Sequence, residues 1–96
     1  MDNPFLNLLG CMLDCDNYES RKVNRTDVDD YIVDTAYTSD YGYETSVWKK
    51  GQNGMAIVER YDNKTDAVEG HNKWVEFCKD TPSKVWNIQT DAYFIF

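Results

Sequence analysis

The chain has 96 residues, of which 42% are hydrophobic and 15% aromatic, so we expect a single folded domain over residues 1–96 and exclude a disordered chain. No apolar run is long enough to span a bilayer, and the N-terminal segment lacks the basic residues of a secretory leader. The net charge of −7 arises within residues 1–48, which hold ten acidic and three basic residues, and this acidity disfavours direct binding of DNA or RNA.

The N-terminal segment predicts an amphipathic helix over about residues 4–16. Asn3-Pro4 resembles a helix start, with Asn as the N-cap and Pro at the first helical position. Apolar residues then recur at helical spacing: Phe5, Leu8, Leu9 and Met12. The polar stretch that follows is ambiguous, and a short strand around Val23 is one interpretation.

Residues 31–61 predict an antiparallel β meander. Tyr31–Thr38 is rich in β-branched and aromatic residues, and Tyr43–Lys49 and Met55–Tyr61 follow it after short polar connections. The second connection contains Asn53-Gly54, the dipeptide that two-residue hairpin turns favour. Short connections between consecutive strands indicate antiparallel neighbours.

A second helix is predicted over about residues 63–80. Asn63 is suited to be its N-cap, Asp66 imitates the third position of a capping box, and Pro82 lies just beyond its end. Its apolar stripe is Ala67, His71, Trp74, Val75 and Cys78. A C-terminal strand is expected over about residues 83–96. The element order predicts an α+β fold, an antiparallel sheet of four to five strands with two helices packed on one face.

Three segments carry a resemblance to a known group. They are Tyr43-Glu44-Thr45, Glu59-Arg60-Tyr61-Asp62, and Gly70-His71 followed by Trp74-Val75. In these features the chain resembles small, mostly uncharacterised proteins from bacteriophages and prophages of Gram-positive bacteria, over about residues 18–78. The resemblance implies a phage accessory protein in the host cytoplasm, and it implies no particular activity.

The cysteines and the single histidine raise the question of a metal or catalytic site. Cys11 and Cys15 lie four apart on the first predicted helix, and His71 and Cys78 lie seven apart on the second. These four residues could converge as a Cys₃His zinc site. However, there is no CxxC pair, and free cysteine is among the most buried residue types, which favours core packing. We therefore expect no catalytic residue, cofactor or metal, and a half-buried His71 that hydrogen-bonds a strand backbone.

The acidity of the first half either keeps a small aromatic-rich domain soluble or suits a non-catalytic binding protein, which is the function that we expect. The expected partner is a host protein with a basic surface, such as a defence or nucleic-acid-processing enzyme, which the acidic surface would attract and orient. Exposed tyrosines are typical interface anchors. The predicted partner-binding residues are Asp27, Asp29, Asp30, Asp40, Tyr41, Tyr43 and Glu44.

Other interpretations stay open. The chain could bind or sequester a nucleotide signal through Lys49, Lys50, Tyr93 and Phe94. A metal-dependent or Cys-dependent enzyme is less favoured. The apolar C-terminal strand either completes the sheet of its own chain or joins a second copy as an edge strand in a homodimer.

Overall fold

A computed structural model describes residues 22–96 and gives seven elements. They are β1 (Lys22–Val28), β2 (Tyr31–Thr38), β3 (Gly42–Lys49), β4 (Ala56–Tyr61), α1 (Lys64–Lys79), β5 (Lys84–Asn87) and β6 (Ala92–Ile95). The first four strands form an antiparallel sheet in chain order, and β5 and β6 form a separate two-stranded antiparallel sheet. The α+β class and the antiparallel sheet are confirmed.

The predicted meander is present and gains β1 as a fourth strand, around Val23. The β2–β3 turn depends on Gly42, whose φ of +76° is unfavourable for other residues, and where a side chain would lie 3.2 Å from the Tyr61 carbonyl oxygen. Asp34, in the middle of β2, lies opposite Arg25 of β1 in the strand register.

The predicted second helix is α1, which packs across the four-stranded sheet. Its N-cap is Asn63, whose side-chain oxygen accepts a hydrogen bond from the Asp66 backbone N–H at 2.9 Å. The buried side of α1 consists of Ala67, Gly70, His71 and Cys78. Within residues 22–96, α1 is the one helix, so the expected pair of helices is not found there. The helix predicted over 4–16 lies outside the described residues. No helix of the described part is both long and apolar enough to cross a membrane.

The C-terminal segment, predicted as a strand over about 83–96, is a hairpin of two strands. The chain reverses because Asp91 adopts a φ of +58° and donates its backbone N–H to the Asn87 carbonyl at 2.9 Å. The tail therefore pairs with β5 of its own chain. Trp86 and Tyr93 project from the outer face of this hairpin, where their rings meet edge-to-face at 5.1 Å.

The hairpin closes one end of the core. Its inner face meets Tyr31, whose ring packs edge-on against Phe96 at 5.1 Å and whose hydroxyl donates to the Pro82 carbonyl at 2.6 Å. The Ile88 N–H also donates to the Ile57 carbonyl at 2.8 Å, which attaches the hairpin to β4. The buried apolar cluster is Val28, Tyr31, Val33, Val47, Ala56, Val58, Cys78 and Val85.

Candidate functional site

The side of the sheet that faces α1 changes from apolar to polar along the strands. Val33 and Val47 are fully buried at one level, and Thr35 and Thr45 are fully buried at the next. The hydroxyl oxygens of these two threonines lie 2.6 Å apart, and the Tyr61 hydroxyl of β4 lies 3.0 Å from that of Thr45. Alternating side chains on each strand place these polar groups on the same face as the valines. A row of hydroxyls thus crosses three strands beneath α1.

His71 joins this row to the edge strand β1. Its side chain is 1% exposed, with Nδ1 2.8 Å from the Thr35 hydroxyl and Nε2 2.9 Å from the Thr26 hydroxyl. The expectation of a half-buried histidine bonded to a strand backbone is therefore wrong. The partners are threonine side chains, because both strands present a hydroxyl towards α1. Burial lowers the pKa of His71, although the carboxylate of Asp34 acts in the opposite direction, so the imidazole is neutral near pH 7.

Cys78 lies in the apolar part of the core. Its side chain is fully buried, and burial raises the pKa of the thiol to about 11. Such a thiol is a poor nucleophile near neutral pH. The described residues contain no group of three or more His, Cys, Asp or Glu side chains that could hold a metal ion. Cys11 and Cys15 of the zinc interpretation lie outside the described residues.

The row of hydroxyls ends at the carboxylate of Glu59 on β4. Its Oε1 accepts from the Tyr61 hydroxyl at 3.2 Å, from the Trp74 indole N–H at 2.9 Å, and from the Lys73 ammonium at 2.6 Å. Burial would raise the pKa of Glu59, but the hydrogen bonds from Lys73 and Trp74 outweigh it, and the pKa is lowered. Burial, together with the neighbouring Glu59, raises the pKa of Tyr61 to about 12.

A surface groove of about 420 Å³ opens where this row reaches solvent, and we call it the acidic groove. It is lined by Glu59, Arg60, Tyr61, Asp62, Asp66, Glu69, Gly70 and Lys73. Gly70 allows β4 and α1 to approach here, since a β-carbon at this position would overlap with the Tyr61 hydroxyl and ring. The lining carries four carboxylates and two basic side chains, so its net charge is negative.

Next to the acidic groove, residues of β2, β3, β4 and the β2–β3 turn form a cluster that we call the tyrosine end: Tyr37, Tyr41, Tyr43, Glu44 and Arg60. Tyr37 meets Tyr43 edge-to-face at 5.1 Å. The Arg60 guanidinium lies 4.1 Å from the centre of the Tyr41 ring and 3.1 Å from a Glu44 carboxylate oxygen. Tyr43 pairs with Tyr61 across β3 and β4, which joins the tyrosine end to the acidic groove. Tyr37 and Tyr41 remain 43% and 57% exposed.

The predicted partner-binding residues divide between two ends of the sheet. Asp40, Tyr41, Tyr43 and Glu44 lie at or beside the β2–β3 turn, whereas Asp27, Asp29 and Asp30 lie at the β1–β2 turn. The eight residues of β2 separate the two turns by about 25 Å, at about 3.3 Å per residue. Asp27 also forms an ion pair of 3.2 Å with Lys50. The seven predicted residues therefore do not form one continuous surface.

Nine residues of the groove and the tyrosine end were missing from the predicted partner-binding set: Tyr37, Glu59, Arg60, Tyr61, Asp62, Asp66, Glu69, Gly70 and Lys73. The strand pattern placed Tyr37 on the same face as Tyr31 and Val33, which was a signal that it lies on the helix side. Nothing local indicated that β4 and the start of α1 would lie beside the β2–β3 turn.

The residues of the alternative ligand site are each engaged in contacts within the fold. Lys50 is paired with Asp27, and the Lys49 ammonium lies 5.9 Å from the centre of the Tyr31 ring. Neighbouring residues of a strand point to opposite faces, so Tyr93 and Phe94 line different sides of the hairpin. Tyr93 lies instead below the ammonium of Lys84, at 4.3 Å.

Comparison with known proteins gives no relative for this chain. No protein-family model, no curated protein and no solved structure matches it.

Proposed function

We propose that this protein is a non-catalytic phage accessory protein that binds and modulates a host protein with a basic surface in the host cytoplasm. Defence and nucleic-acid-processing enzymes have such surfaces, because their ligands are polyanions. The observation that carries the proposal is the tyrosine end, where exposed aromatic rings are held in place beside carboxylates. The phage origin is supported by the sequence resemblance at Tyr43-Glu44-Thr45 and at Gly70-His71.

The exposed tyrosines have the properties of interface anchors. Tyr41 is held by the guanidinium of Arg60, and Tyr37 is held against the ring of Tyr43. Aromatic residues provide a large contact area, and side chains that are already ordered lose less entropy when a partner binds. A rigid aromatic cluster that stays in solvent is therefore better suited to binding than to stabilising its own fold.

Charge supports a basic partner. Asp40 adjoins Tyr41 in the β2–β3 turn, and the acidic groove adds Asp62, Asp66 and Glu69, whereas Glu44 is paired with Arg60 and points to the opposite face of β3 from Tyr43. Carboxylates around an aromatic centre speed the approach of a basic surface and orient it, and they repel nucleic acid. The three aspartates of the β1–β2 turn are too distant to belong to the same contact surface, so the proposal now centres on residues 37–44 and the groove.

The burial and the contacts of His71 and Cys78, the two side chains best suited to catalysis, support the proposal that the protein is not an enzyme. Both ring nitrogens of His71 lie within hydrogen-bond distance of threonine hydroxyls, and the side chain is buried. The thiol of Cys78 is buried among apolar side chains. A general base must reach a substrate proton through a hydrogen bond, and neither group faces solvent.

The proposal is tested by affinity capture from a Gram-positive host lysate, with the tagged full chain as bait and mass spectrometry as readout. Three baits are compared: the wild type, Tyr41→Ala and Tyr93→Ala. The two tyrosines are both 57% exposed, so Tyr93→Ala is a matched control on the opposite end of the molecule. The captured protein is then purified, and its affinity for each bait is measured at two salt concentrations.

We expect a basic protein to bind the wild type and Tyr93→Ala, and Tyr41→Ala to weaken this binding by about 30-fold, the size of a loss of about 2 kcal/mol at a binding hot spot. Binding should also weaken as salt rises, because the charges involved are exposed. Equal retention by all three baits would exclude the tyrosine end as the binding surface. Capture of no protein, or release of a nucleotide instead, would contradict the proposed function.

A further inference from the structure

The hydrogen bonds beneath α1 form one continuous chain from β1 to the surface. Its links are Thr26–His71, His71–Thr35, Thr35–Thr45, Thr45–Tyr61 and Tyr61–Glu59, with distances of 2.9, 2.8, 2.6, 3.0 and 3.2 Å. The chain touches all four strands of the meander and α1. Its last two members, Tyr61 and Glu59, line the acidic groove.

The carboxylate at the surface determines which group donates in every link. An ionised carboxylate can only accept, so the Tyr61 hydroxyl donates to Glu59. A hydroxyl has a single proton, and Tyr61 must therefore accept from Thr45. By the same count Thr45 accepts from Thr35, and Thr35 accepts from Nδ1–H of His71. The other ring nitrogen, Nε2, then lacks a proton and accepts from Thr26.

We propose that Glu59 in the acidic groove fixes the tautomer of the buried His71 through this chain, and thereby couples the groove to the edge strand β1. When Lys73 or a basic group of a bound partner holds the carboxylate ionised, every donor has an acceptor and His71 carries its proton on Nδ1. When the Glu59 carboxylate no longer accepts a hydrogen bond from Tyr61, nothing determines which group of each pair donates. The hydrogen bond between Thr26 and His71, which anchors β1, then weakens. The coupling is a property of the fold and holds whichever partner occupies the groove.

Two features of the chain make this coupling effective. Thr35, Thr45 and His71 are each 1% exposed or less, so no solvent can replace a missing partner within the row. Losing one partner in a buried row leaves a polar group without a hydrogen bond, which is strongly unfavourable. A change at Glu59 is therefore passed along the row.

The test is the tautomer of His71, read from the long-range ¹H–¹⁵N spectrum of the ¹⁵N-labelled full chain. The sequence contains a single histidine, so one set of ring signals reports the answer. We expect the Nδ1–H tautomer in the wild type. Glu59→Met and Tyr61→Phe each remove a link near the surface, and in both we expect the Nε2–H tautomer to appear.

Tyr37→Phe is the matched control, because it removes a tyrosine hydroxyl from the same side of the sheet but outside the chain. The second measurement is hydrogen exchange of the β1 backbone amides relative to those of β3. In Glu59→Met we expect β1 exchange to be faster by about threefold to tenfold, the range that corresponds to one hydrogen bond, with no change in Tyr37→Phe.

Finding the Nε2–H tautomer in the wild type would overturn the proposal, and this result needs no variant to fold. An unchanged, purely Nδ1–H histidine in both Glu59→Met and Tyr61→Phe would overturn it as well. These measurements involve no partner protein, so they are independent of the capture experiment.

Discussion

The layer between α1 and the sheet has two halves that are equally buried and chemically opposite. Towards the C-terminal hairpin, Val33, Val47 and Cys78 form an apolar contact. Towards the acidic groove, Thr35 and His71 occupy the same layer with equally low exposure. Along β2 the two halves are only two residues apart, since Val33 belongs to the apolar half and Thr35 to the polar half. The burial of a side chain therefore does not by itself show whether it stabilises the fold or fixes its geometry.

The two halves contribute in different ways. Apolar contacts are not directional, and they stabilise the fold in proportion to the area that is removed from water. Hydrogen-bonded groups in a dry interior contribute little net stability but impose a geometry, because each donor requires one particular acceptor. We infer that the apolar half holds α1 on the sheet, and that the polar half fixes its position and connects the groove to the interior.

The largest effect is expected from removing the centre of the polar half. His71→Ala leaves a cavity and deprives the Thr26 and Thr35 hydroxyls of their partner, which should lower the free energy of unfolding by about 3–5 kcal/mol. Val47→Ala, in the apolar half, leaves only a cavity and should lower it by about 2 kcal/mol. Urea unfolding followed by tryptophan fluorescence measures both. A smaller loss for His71→Ala than for Val47→Ala would contradict the division into two halves.

The boundary between the halves is tested by mirrored substitutions at neighbouring positions of one strand face. Val33→Thr buries a hydroxyl among apolar groups, and Thr35→Val removes the acceptor of a buried histidine. Each should lower the free energy of unfolding by about 1–3 kcal/mol, although valine and threonine are nearly equal in size. If thermal unfolding shows either variant to be as stable as the wild type, its position does not belong to the half assigned here.

Gly70 tests how closely the polar half is packed. Alanine normally favours a helix over glycine by about 1 kcal/mol, but here its β-carbon would overlap with Tyr61. We expect Gly70→Ala to lower the free energy of unfolding by up to about 2 kcal/mol, the overpacking penalty of about 1–3 kcal/mol less that propensity gain. Asn72→Ala, at an exposed position of α1, should be neutral or slightly stabilising and serves as the control. A stabilised Gly70→Ala would show that Tyr61 moves aside at little cost.

The polar half should also make stability depend on pH. The folded state lowers the pKa of His71, so the unfolded chain binds a proton more readily as the pH falls through the ordinary value of 6.5. The free energy of unfolding should therefore decrease as the pH falls through this region. A second decrease should follow below the ordinary Glu59 value of 4.5, because the pKa of this carboxyl is also lowered.

Chemical denaturation over a series that starts at about pH 8 and extends well below pH 4.5 measures these steps. In His71→Gln the decrease near the ordinary histidine pKa should be absent, while the carboxylate step remains. The same decrease in His71→Gln as in the wild type would mean that another group titrates there.

The smallest effect is expected outside both halves, at the ion pair of Lys50 with Asp27. Both side chains are well exposed, at 44% and 62%, and exposed pairs contribute about 0–1 kcal/mol. Lys50→Ala should change the free energy of unfolding by less than about 0.5 kcal/mol, and high salt should remove the difference. A larger loss would mean that the β1–β2 and β3–β4 turns stabilise each other more than their exposure implies.

Features that depend on neighbouring residues were predictable. The Asn63 cap and the Asp66 bond that completes it lie three residues apart, and the structure contains both. The alternation of β2 placed Tyr31, Val33 and Thr35 on one face, as found. Helix period, strand alternation and caps operate over a few residues, so the sequence displays them directly.

The candidate site was less predictable, because it is assembled from distant segments. Tyr43 and Tyr61 are neighbours because the register of β3 and β4 pairs them. The same register brings Arg60 close enough to contact the ring of Tyr41. The predicted partner-binding residues are separated for a related reason. Residues close in sequence were placed at opposite ends of β2, since an extended strand carries the chain further than a short interval suggests.

The sequence by itself determined the class of fold, the meander, the helix that covers it and the acidity of the first half, since these follow from composition and local periodicity. Only the tertiary structure decided that the C-terminal segment folds back as a hairpin, and that His71 meets Thr26 from 45 residues away. The physical reason is that a hydrogen bond is chosen by distance and direction in space. A threonine looks the same in the sequence whether its hydroxyl meets water, its own backbone or a buried histidine.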